Sequence, residues 1–332
     1  MAIVGIKSLR YGVDDVALST KFFTDFGLAL IGASDLGSLF LLPDGSTVEI
    51  LPLAAASLPA GAIVGAGVRE VVWGVDTDAS LAALSEKLSR DHSVIIDEAG
   101  RHHFLPSFGI PMALEYFARQ KVLNVPDPLN APDHINRLNT HRKWRIRTSP
   151  KVINHTVFKV ADFGAATRFM RETLGFRLSD IQEGFGTYLR ADGSNNHHNI
   201  LFLNANAPFP GCDGQTRFDH ANFGVEDIDE LMIGANYMSR QGWDRSKIGL
   251  GRHRIDSALF YYLPSPAGGE VEYGADADYI DDGWVPRRFS VPLFAYAHFT
   301  HNIPDFLREM PEWQFTYLTE EVRQPPAASG KD

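Results

Sequence analysis

The sequence predicts an α+β protein of four βαβββ modules arranged as two domains, each a cup-shaped mixed sheet with its helices outside. Two observations carry that expectation. The first is an internal repeat: His155-Thr-Val-Phe158-Lys-Val160-Ala-Asp162 and His220-Ala-Asn-Phe223-Gly-Val225-Glu-Asp227 both read H-x-x-F-x-V-x-D, and recurring self-similarity marks a duplicated unit. The second is that each copy leads into a helix-like stretch and then into several short strand-like runs. The length of 332 residues agrees, because it suits two domains of roughly 150–200 residues rather than one core.

From the N-terminus, Tyr11-x-Val13-x-Asp15 leads into a helical Val16–Phe26, and the strand Ser46–Leu51 closes the first module. Trp73-x-Val75-x-Thr77 leads into a helical Leu81–Arg90, and Pro111–Phe117 closes the second. These are weaker copies of the same pattern. Residues 122–150 form a linker, since Pro126, Pro128, Pro132 and Pro150 interrupt any periodicity. In the third module Asp162 caps a helix over Ala165–Thr173, Gly175 stops it, and Thr187–Arg190 and Asn199–Leu203 are strands. In the fourth, Asp227 caps Ile228–Arg240, Gly242 stops it, and Ala258–Leu263 and Glu270–Tyr273 are strands. The domains are then 1–121 and 151–290, each a pair of modules. An extension, 291–332, comes last, and its polar, Pro-rich tail after Arg323 is expected to fray.

Composition narrows the function. Hydrophobic residues at 44% and charged residues at 22% are the balance of a globular chain, not a disordered one. With 31 Lys and Arg against 41 Asp and Glu, the net charge of −10 lacks the basic footprint of a nucleic-acid binder. The basic run His141–Arg147 is too short to reverse this. No apolar run reaches the ~18 residues of a membrane span. A single cysteine, Cys212, excludes an intrachain disulfide and a Cys-rich zinc module, and fits a reducing cytoplasm. The N-terminal MAIVGIKSLR has no long apolar stretch of a secretory signal.

Strand side chains alternate faces. In the third module Phe158 and Val160 share one face with the helix to pack on, which sets His155 and Val157 on the other; in the fourth, Phe223 and Val225 oppose His220. Each buried apolar side chain is worth ~1.5–3 kcal/mol, so the register is firm and both imidazoles are driven onto a concave side. A carboxylate from the last strand completes a ligand set. Glu270 and Glu272 share a face, so parity does not choose between them. Leu114-Glu115-Tyr116 of the second module matches Val271-Glu272-Tyr273, which selects Glu272 and leaves Glu270 near the turn and solvated. Two histidines and one carboxylate suit non-haem Fe(II), with zinc as the rival. In the first two modules Ser8 and Glu70 stand at the histidine register, and Glu49, Glu70 and Glu115 have no histidine beside them, so that half is expected to be a metal-free scaffold.

The stretch Gly251-Arg-His253-Arg-Ile-Asp256, then Tyr261-Tyr262-Leu-Pro-Ser-Pro266-Ala-Gly268-Gly-Glu270-Val-Glu272-Tyr273-Gly274, resembles the signature of type I extradiol ring-cleavage dioxygenases. The likeness is to the 2,3-dihydroxybiphenyl and catechol 2,3-dioxygenase group of the vicinal oxygen chelate superfamily, whose fold is glyoxalase-like. It covers about 150–280 in motif and 1–120 only in layout. The resemblance implies an Fe(II) enzyme, with Mn(II) an alternative, that opens a catecholic ring next to the diol using O2, and it implies assembly as a homo-oligomer. It implies His155, His220 and Glu272 as metal ligands, His198 as the acid/base group with its neighbour His197 as the alternate, and His253 and Tyr262 as hydrogen-bond partners of substrate oxygens. Asp256 is implied as the carboxylate supporting His253. One of His197 and His198 is expected to face solvent. Departures are the segment Asn204–Gln215, which is expected to line or cover the pocket, and Trp284–His298, which keeps a Trp and an Arg pair. Two rivals share the scaffold: a metalloenzyme of another reaction type, such as an isomerase, lyase or glyoxalase-like enzyme, and a non-catalytic small-molecule-binding protein.

Overall fold

In the computed structural model, which describes residues 3–209, 211–290, 295–309 and 315–319, the chain runs through the same module four times. The first is β1 (Ile3–Val13), α1 (Val16–Phe26), β2 (Ala29–Ser34), β3 (Gly37–Leu41) and β4 (Thr47–Pro52). The second is β5 (Gly67–Val75), α2 (Asp78–Ser89), β6 (Ile95–Ile96), β7 (His102–Phe104) and β8 (Met112–Tyr116). The third is β9 (Val152–Val160), α3 (Phe163–Glu172), β10 (Arg177–Gln182), β11 (Gly186–Arg190) and β12 (Ile200–Asn204). The fourth is β13 (Arg217–Gly224), α4 (Ile228–Arg240), β14 (Gly251–Arg252), β15 (Leu259–Pro264) and β16 (Glu270–Ala275). Three short strands come after them, β17 (Arg287–Phe289), β18 (Phe299–Thr300) and β19 (Phe315–Tyr317). The tail after Arg323 lies outside the described residues.

Helix boundaries are set by their caps. Asp15, Thr77, Asp162 and Asp227 each accept a backbone N–H of the first turn. Modules one and two make an eight-stranded sheet in the order β2-β3-β4-β1-β5-β8-β7-β6. Modules three and four repeat that arrangement in an 11-stranded sheet, β14-β15-β16-β13-β9-β12-β11-β10 at its centre, extended by β18 at one edge and by β17 and β19 at the other. Within each module the first and last strands pair in parallel, and the two modules of a sheet join antiparallel through their first strands.

The core lies on the helix side of both sheets and is continuous between them. Phe158, Val160, Phe223 and Val225 belong to it, with Phe22, Phe23 and Phe26 of α1. Phe26 stacks on Tyr273 of β16 at 4.0 Å, and the Tyr273 hydroxyl donates to the Phe26 carbonyl at 2.7 Å. The N-terminal helix thereby braces the strand that carries Glu272. A smaller cluster on the other face, Val157, Tyr188, Leu201, Leu203, Ile255 and Phe289, lines the inside of the cup.

The basic run of the linker serves the last helix. Arg142 pairs with Asp229, Lys143 with Glu226 at 2.7 Å, and Arg145 with Glu226 at 2.6 Å and Asp227 at 3.2 Å. These cations neutralise the acidic N-terminus of α4.

In the first sheet, where no histidine was expected beside the acids, one does join them. His103 Nδ1 lies 2.7 Å from Glu70, reached across β8 and β7. The Arg10 guanidinium meets Glu49 at 2.9 Å and Glu70 at 2.6 Å, and Arg101 bridges Glu49 at 2.7 Å and Glu115 at 2.8 Å. Covalently attached cations thus neutralise all three carboxylates.

Candidate metal centre

The four central strands β15, β16, β13 and β9 lie side by side. Polar residues of these strands meet across the cup interior: Tyr262 opposite Glu272, Glu272 opposite Asn222, and Asn222 opposite His155. His220 reaches the same face through a β-bulge. Phe218 pairs with Phe158 and His220 with Val157, so Asp219 is the extra residue and faces the cavity beside His220.

The three expected ligands converge. His155 Nε2 and His220 Nε2 are 3.4 Å apart, and Glu272 Oε2 lies 3.4 Å from the first and 3.5 Å from the second. Bonds of about 2.1 Å with ligand angles of roughly 90–110° place three donors about 3.0–3.4 Å from one another. Glu272 is 0% exposed, yet neither of its oxygens accepts a hydrogen bond. A buried carboxylate without donors is costly, and a shared cation at the centre of this triangle removes that cost. Burial opposes its charge, but the imidazoles of His155, His253 and His220 hold Glu272 well below the usual carboxylate range. The donor set therefore fits a divalent metal ion. A second group, His197, His198 and Asp256, also brings ligand atoms together, and among the described residues these two groups are the ones with such geometry.

His220 is oriented from behind. Its Nδ1 donates to Asp219 at 2.7 Å, and Lys159 Nζ holds the other Asp219 oxygen at 2.6 Å. A carboxylate on the distal nitrogen fixes the ring and raises its basicity as a ligand. Reading β13 as a continuous alternation places Asp219 on the wrong face, so only the bulge reveals it.

The other expected residues surround the triangle. His198 stacks on His155 with ring centroids 4.0 Å apart. Both His197 and His198 are buried, at 1% and 5% exposure, so neither faces solvent as expected. The reason is the segment after His198: it enters β12 directly, while His197 is held by Asp180 at 2.8 Å. Burial and the surrounding imidazoles push His198 well below the ordinary histidine value, which keeps it neutral. His253 Nδ1 donates to the Tyr296 carbonyl at 2.5 Å, and its Nε2 lies 3.1 Å from the Tyr262 hydroxyl. Burial, with the Glu272 charge nearby, pushes the Tyr262 phenol well above its ordinary value, so it remains a donor.

Asp256, expected to support His253, makes no hydrogen bond to it: His253 Nδ1 is taken by the Tyr296 carbonyl, and the Asp256 charge acts on the ring only through space. Asp256 Oδ1 accepts from the Ala258 amide at 3.2 Å, and its Oδ2 stands 3.8 Å from His198 Nδ1. Glu270 is also not solvated: it is half-buried in the cavity wall, and burial, reinforced by Asp219 and Glu272 against the pull of His220, raises its carboxyl. It pairs with Pro264 just before the hairpin turn, where Gly268 takes φ +95° against the Ala66 carbonyl and admits no Cβ.

The triangle opens onto a cavity of about 480 Å³, the size of a small-molecule site. Its far wall is apolar, with Phe185, Leu201, Leu203 and Ile255, and Phe209 and Cys212 from the 204–215 segment join it as expected. Tyr296 and Phe306 close it from the C-terminal extension. The sequence offers no local sign of these two, because long-range contacts bring them in: Ala295 accepts from the Arg254 and Ile255 amides, and β18 pairs with β14.

Among the described residues no helix is long and apolar enough to cross a membrane. The model of the Glyoxalase/Bleomycin resistance protein/Dioxygenase superfamily matches residues 5–118 and 152–270, more than half of the chain. Metapyrocatechase 2 of Cupriavidus necator is 31% identical over 162 residues, 48% of each chain. The iron-dependent extradiol dioxygenase of Rhodococcus jostii (strain RHA1) is 30% identical over 164 residues, 46% of this chain and 52% of that protein. The chain thus spans about half the length of these two relatives. The biphenyl-2,3-diol 1,2-dioxygenase of Paraburkholderia xenovorans (strain LB400) aligns over 308 residues at 26% identity, 88% of this chain and 94% of that one. Among solved structures, the Mn(II)-bound glyoxalase from Novosphingobium aromaticivorans superposes with a TM-score of 0.69 at 19% identity, covering 94% of this chain and 95% of that one.

Proposed function

The chain belongs to the Glyoxalase/Bleomycin resistance protein/Dioxygenase superfamily, and we propose that within it the protein is an Fe(II)-dependent extradiol dioxygenase. Its substrate is an aromatic diol, whose ring it opens at the bond beside the diol, with both atoms of O2 entering the product. The observation that carries this reading is the triangle of His155 Nε2, His220 Nε2 and Glu272 Oε2 with an unpartnered buried carboxylate. The names of the relatives support the reaction type, one of them naming iron.

His155, His220 and Glu272 hold the ion. When bound, Fe(II) supplies Lewis acidity toward the diol oxygens and an electron path to dioxygen, and three ligands leave it room for both. His198, neutral and lining the cavity, accepts a substrate hydroxyl proton and returns it when the O–O bond breaks. Tyr262 and His253, 3.1 Å apart in the cavity wall, orient a substrate oxygen. The apolar wall excludes water and packs the ring's substituent.

A cytoplasmic location and a homo-oligomeric assembly accompany this reading. The exposed apolar side chains of the linker, among them Leu123, Trp144 and Ile146, support the assembly. The test is anaerobic purification with metal analysis, then oxygen uptake across a panel of catechols. One iron per chain, with O2 consumed and a yellow ring-opened product formed, is the expected result. Bound metal without oxygen uptake on any catechol would move the protein to another reaction of the superfamily.

A further inference from the structure

A chain of hydrogen bonds runs behind His198, through His197 and Asp180 to Arg287. Asp180 of β10 is fully buried and paired with Arg287 of β17, which gives it a backbone N–H at 2.6 Å, Nη2 at 2.6 Å and Nε at 3.1 Å. An ionised carboxylate only accepts. His197 Nε2, 2.8 Å from Asp180 Oδ2, must therefore carry the hydrogen. The Arg287 guanidinium already balances the Asp180 charge, and an imidazole whose one N–H is on Nε2 is left with a lone pair on Nδ1. That lone pair faces His198 Nδ1 at 3.2 Å. Two lone pairs repel at that distance, so His198 Nδ1 carries the hydrogen. The Asp256 carboxylate, 3.8 Å from the same nitrogen, favours the same arrangement. His198 Nε2 is then the lone-pair nitrogen, and among the described residues nothing bonds to it.

His197 is itself held rigidly. Ser179 Oγ donates to its carbonyl at 2.5 Å, Trp284 Nε1 donates to the Ser179 carbonyl at 2.9 Å, and the Trp284 ring stands edge-on to the imidazole. Arg287, Trp284 and Asp180 come from segments that meet only at the sheet edge, where β17 lies parallel to β10. This edge addition supplies the base of the relay.

We propose that Asp180, His197 and Arg287 form a positioning relay that fixes His198 as its Nδ1–H tautomer and so presents Nε2 to the cavity as a proton acceptor. The relay touches neither substrate nor metal and acts only through His198. Its catalytic consequence rests on the role of His198 proposed above. The tautomer itself does not depend on that role.

The test uses the full chain with 15N-labelled histidine, loaded with diamagnetic Zn(II), and reads each ring by long-range 1H–15N correlation. His198 signals are identified by their loss in His198→Gln. The expected pattern is a pyrrole-like Nδ1 and a pyridine-like Nε2 on His198, with the reverse on His197. His197→Phe removes the acceptor and should leave His198 a mixture of tautomers. His197→Gln keeps both functions, donating its amide N–H to Asp180 and accepting through its carbonyl oxygen, and should preserve the wild-type pattern. In the iron-loaded enzyme, His197→Phe should lower kcat by about 10–100-fold with KM and iron content unchanged, and His197→Gln should restore most of the rate. A wild-type His198 protonated on Nε2, or an unchanged His198 spectrum in His197→Phe, would overturn the relay. So would a Gln variant as slow as the Phe variant with full iron. If no catechol is turned over, the proposed function falls, and the tautomer pattern alone still decides the relay.

Discussion

Replacing Glu272 by Gln should lower the stability of the metal-free protein a little and remove most of the stability that iron adds. The carboxylate is fully excluded from water, and neither oxygen has a hydrogen bond. An unpaired buried polar group costs about 1–3 kcal/mol, more when charged. Three imidazole nitrogens at 3.4, 3.5 and 3.8 Å outweigh this by attraction, since against burial they hold the carboxyl well below its usual range. A neutral amide of the same shape loses that attraction, so the metal-free variant should melt somewhat below the wild type. With iron the gap widens. The wild type gains about 2.7 kcal/mol when Fe(II) is a hundredfold above its Kd, and the variant, short of one anionic ligand, gains little. Anaerobic thermal melts with chelator and then with Fe(II) read both arms. A variant that rises as far with Fe(II) as the wild type does would refute the idea that Glu272 is a buried charge kept for a cation.

The same geometry makes three further outcomes testable. His198→Gln should slow oxygen uptake by about 10²–10⁴-fold while iron and substrate still bind, as measured by steady-state kinetics beside metal analysis. Asp219→Ala, which frees the distal nitrogen of His220, should weaken iron binding by about 10–100-fold in chelator competition; unchanged affinity would mean that the bulge does not serve the metal. In the N-terminal sheet, the Glu70 hydrogen bond, against burial, raises His103 above its ordinary 6.5. A raised folded value means that its stabilisation is full below about pH 6.5 and is lost as pH rises through the folded value. The Tm difference between wild type and His103→Gln should therefore shrink from pH 6 to pH 8, and a constant difference would refute the ion pair.

The features legible in the sequence are those that local periodicity controls. Phe158, Val160, Phe223 and Val225 fix the register of β9 and β13 because the helices that cover them come directly after in the chain. That register alone turns His155 and His220 inward. Glu272 is legible because another module carries the same pattern, Leu114-Glu115-Tyr116. Parity fails where a strand adds a residue: simple alternation places Phe218 and His220 on one face, and the bulge at Asp219 separates them. Long-range pairing is equally hidden. His103 meets Glu70 only because β7 and β8 fold back beside β5, and it is the Tyr296 carbonyl, far along the chain, that binds His253 Nδ1. Asp256 turns instead toward His198, since its own turn uses one oxygen for the Ala258 amide.

The whole account depends on a cation held by three strands of the second cup. An anomalous-difference map at the iron edge, from crystals of the anaerobically iron-loaded chain, tests it most directly. The account predicts one peak bonded to His155 Nε2, His220 Nε2 and a Glu272 oxygen, at about 2.0–2.2 Å from each. A peak at His197, His198 and Asp256 instead, or none in the second sheet, would contradict it.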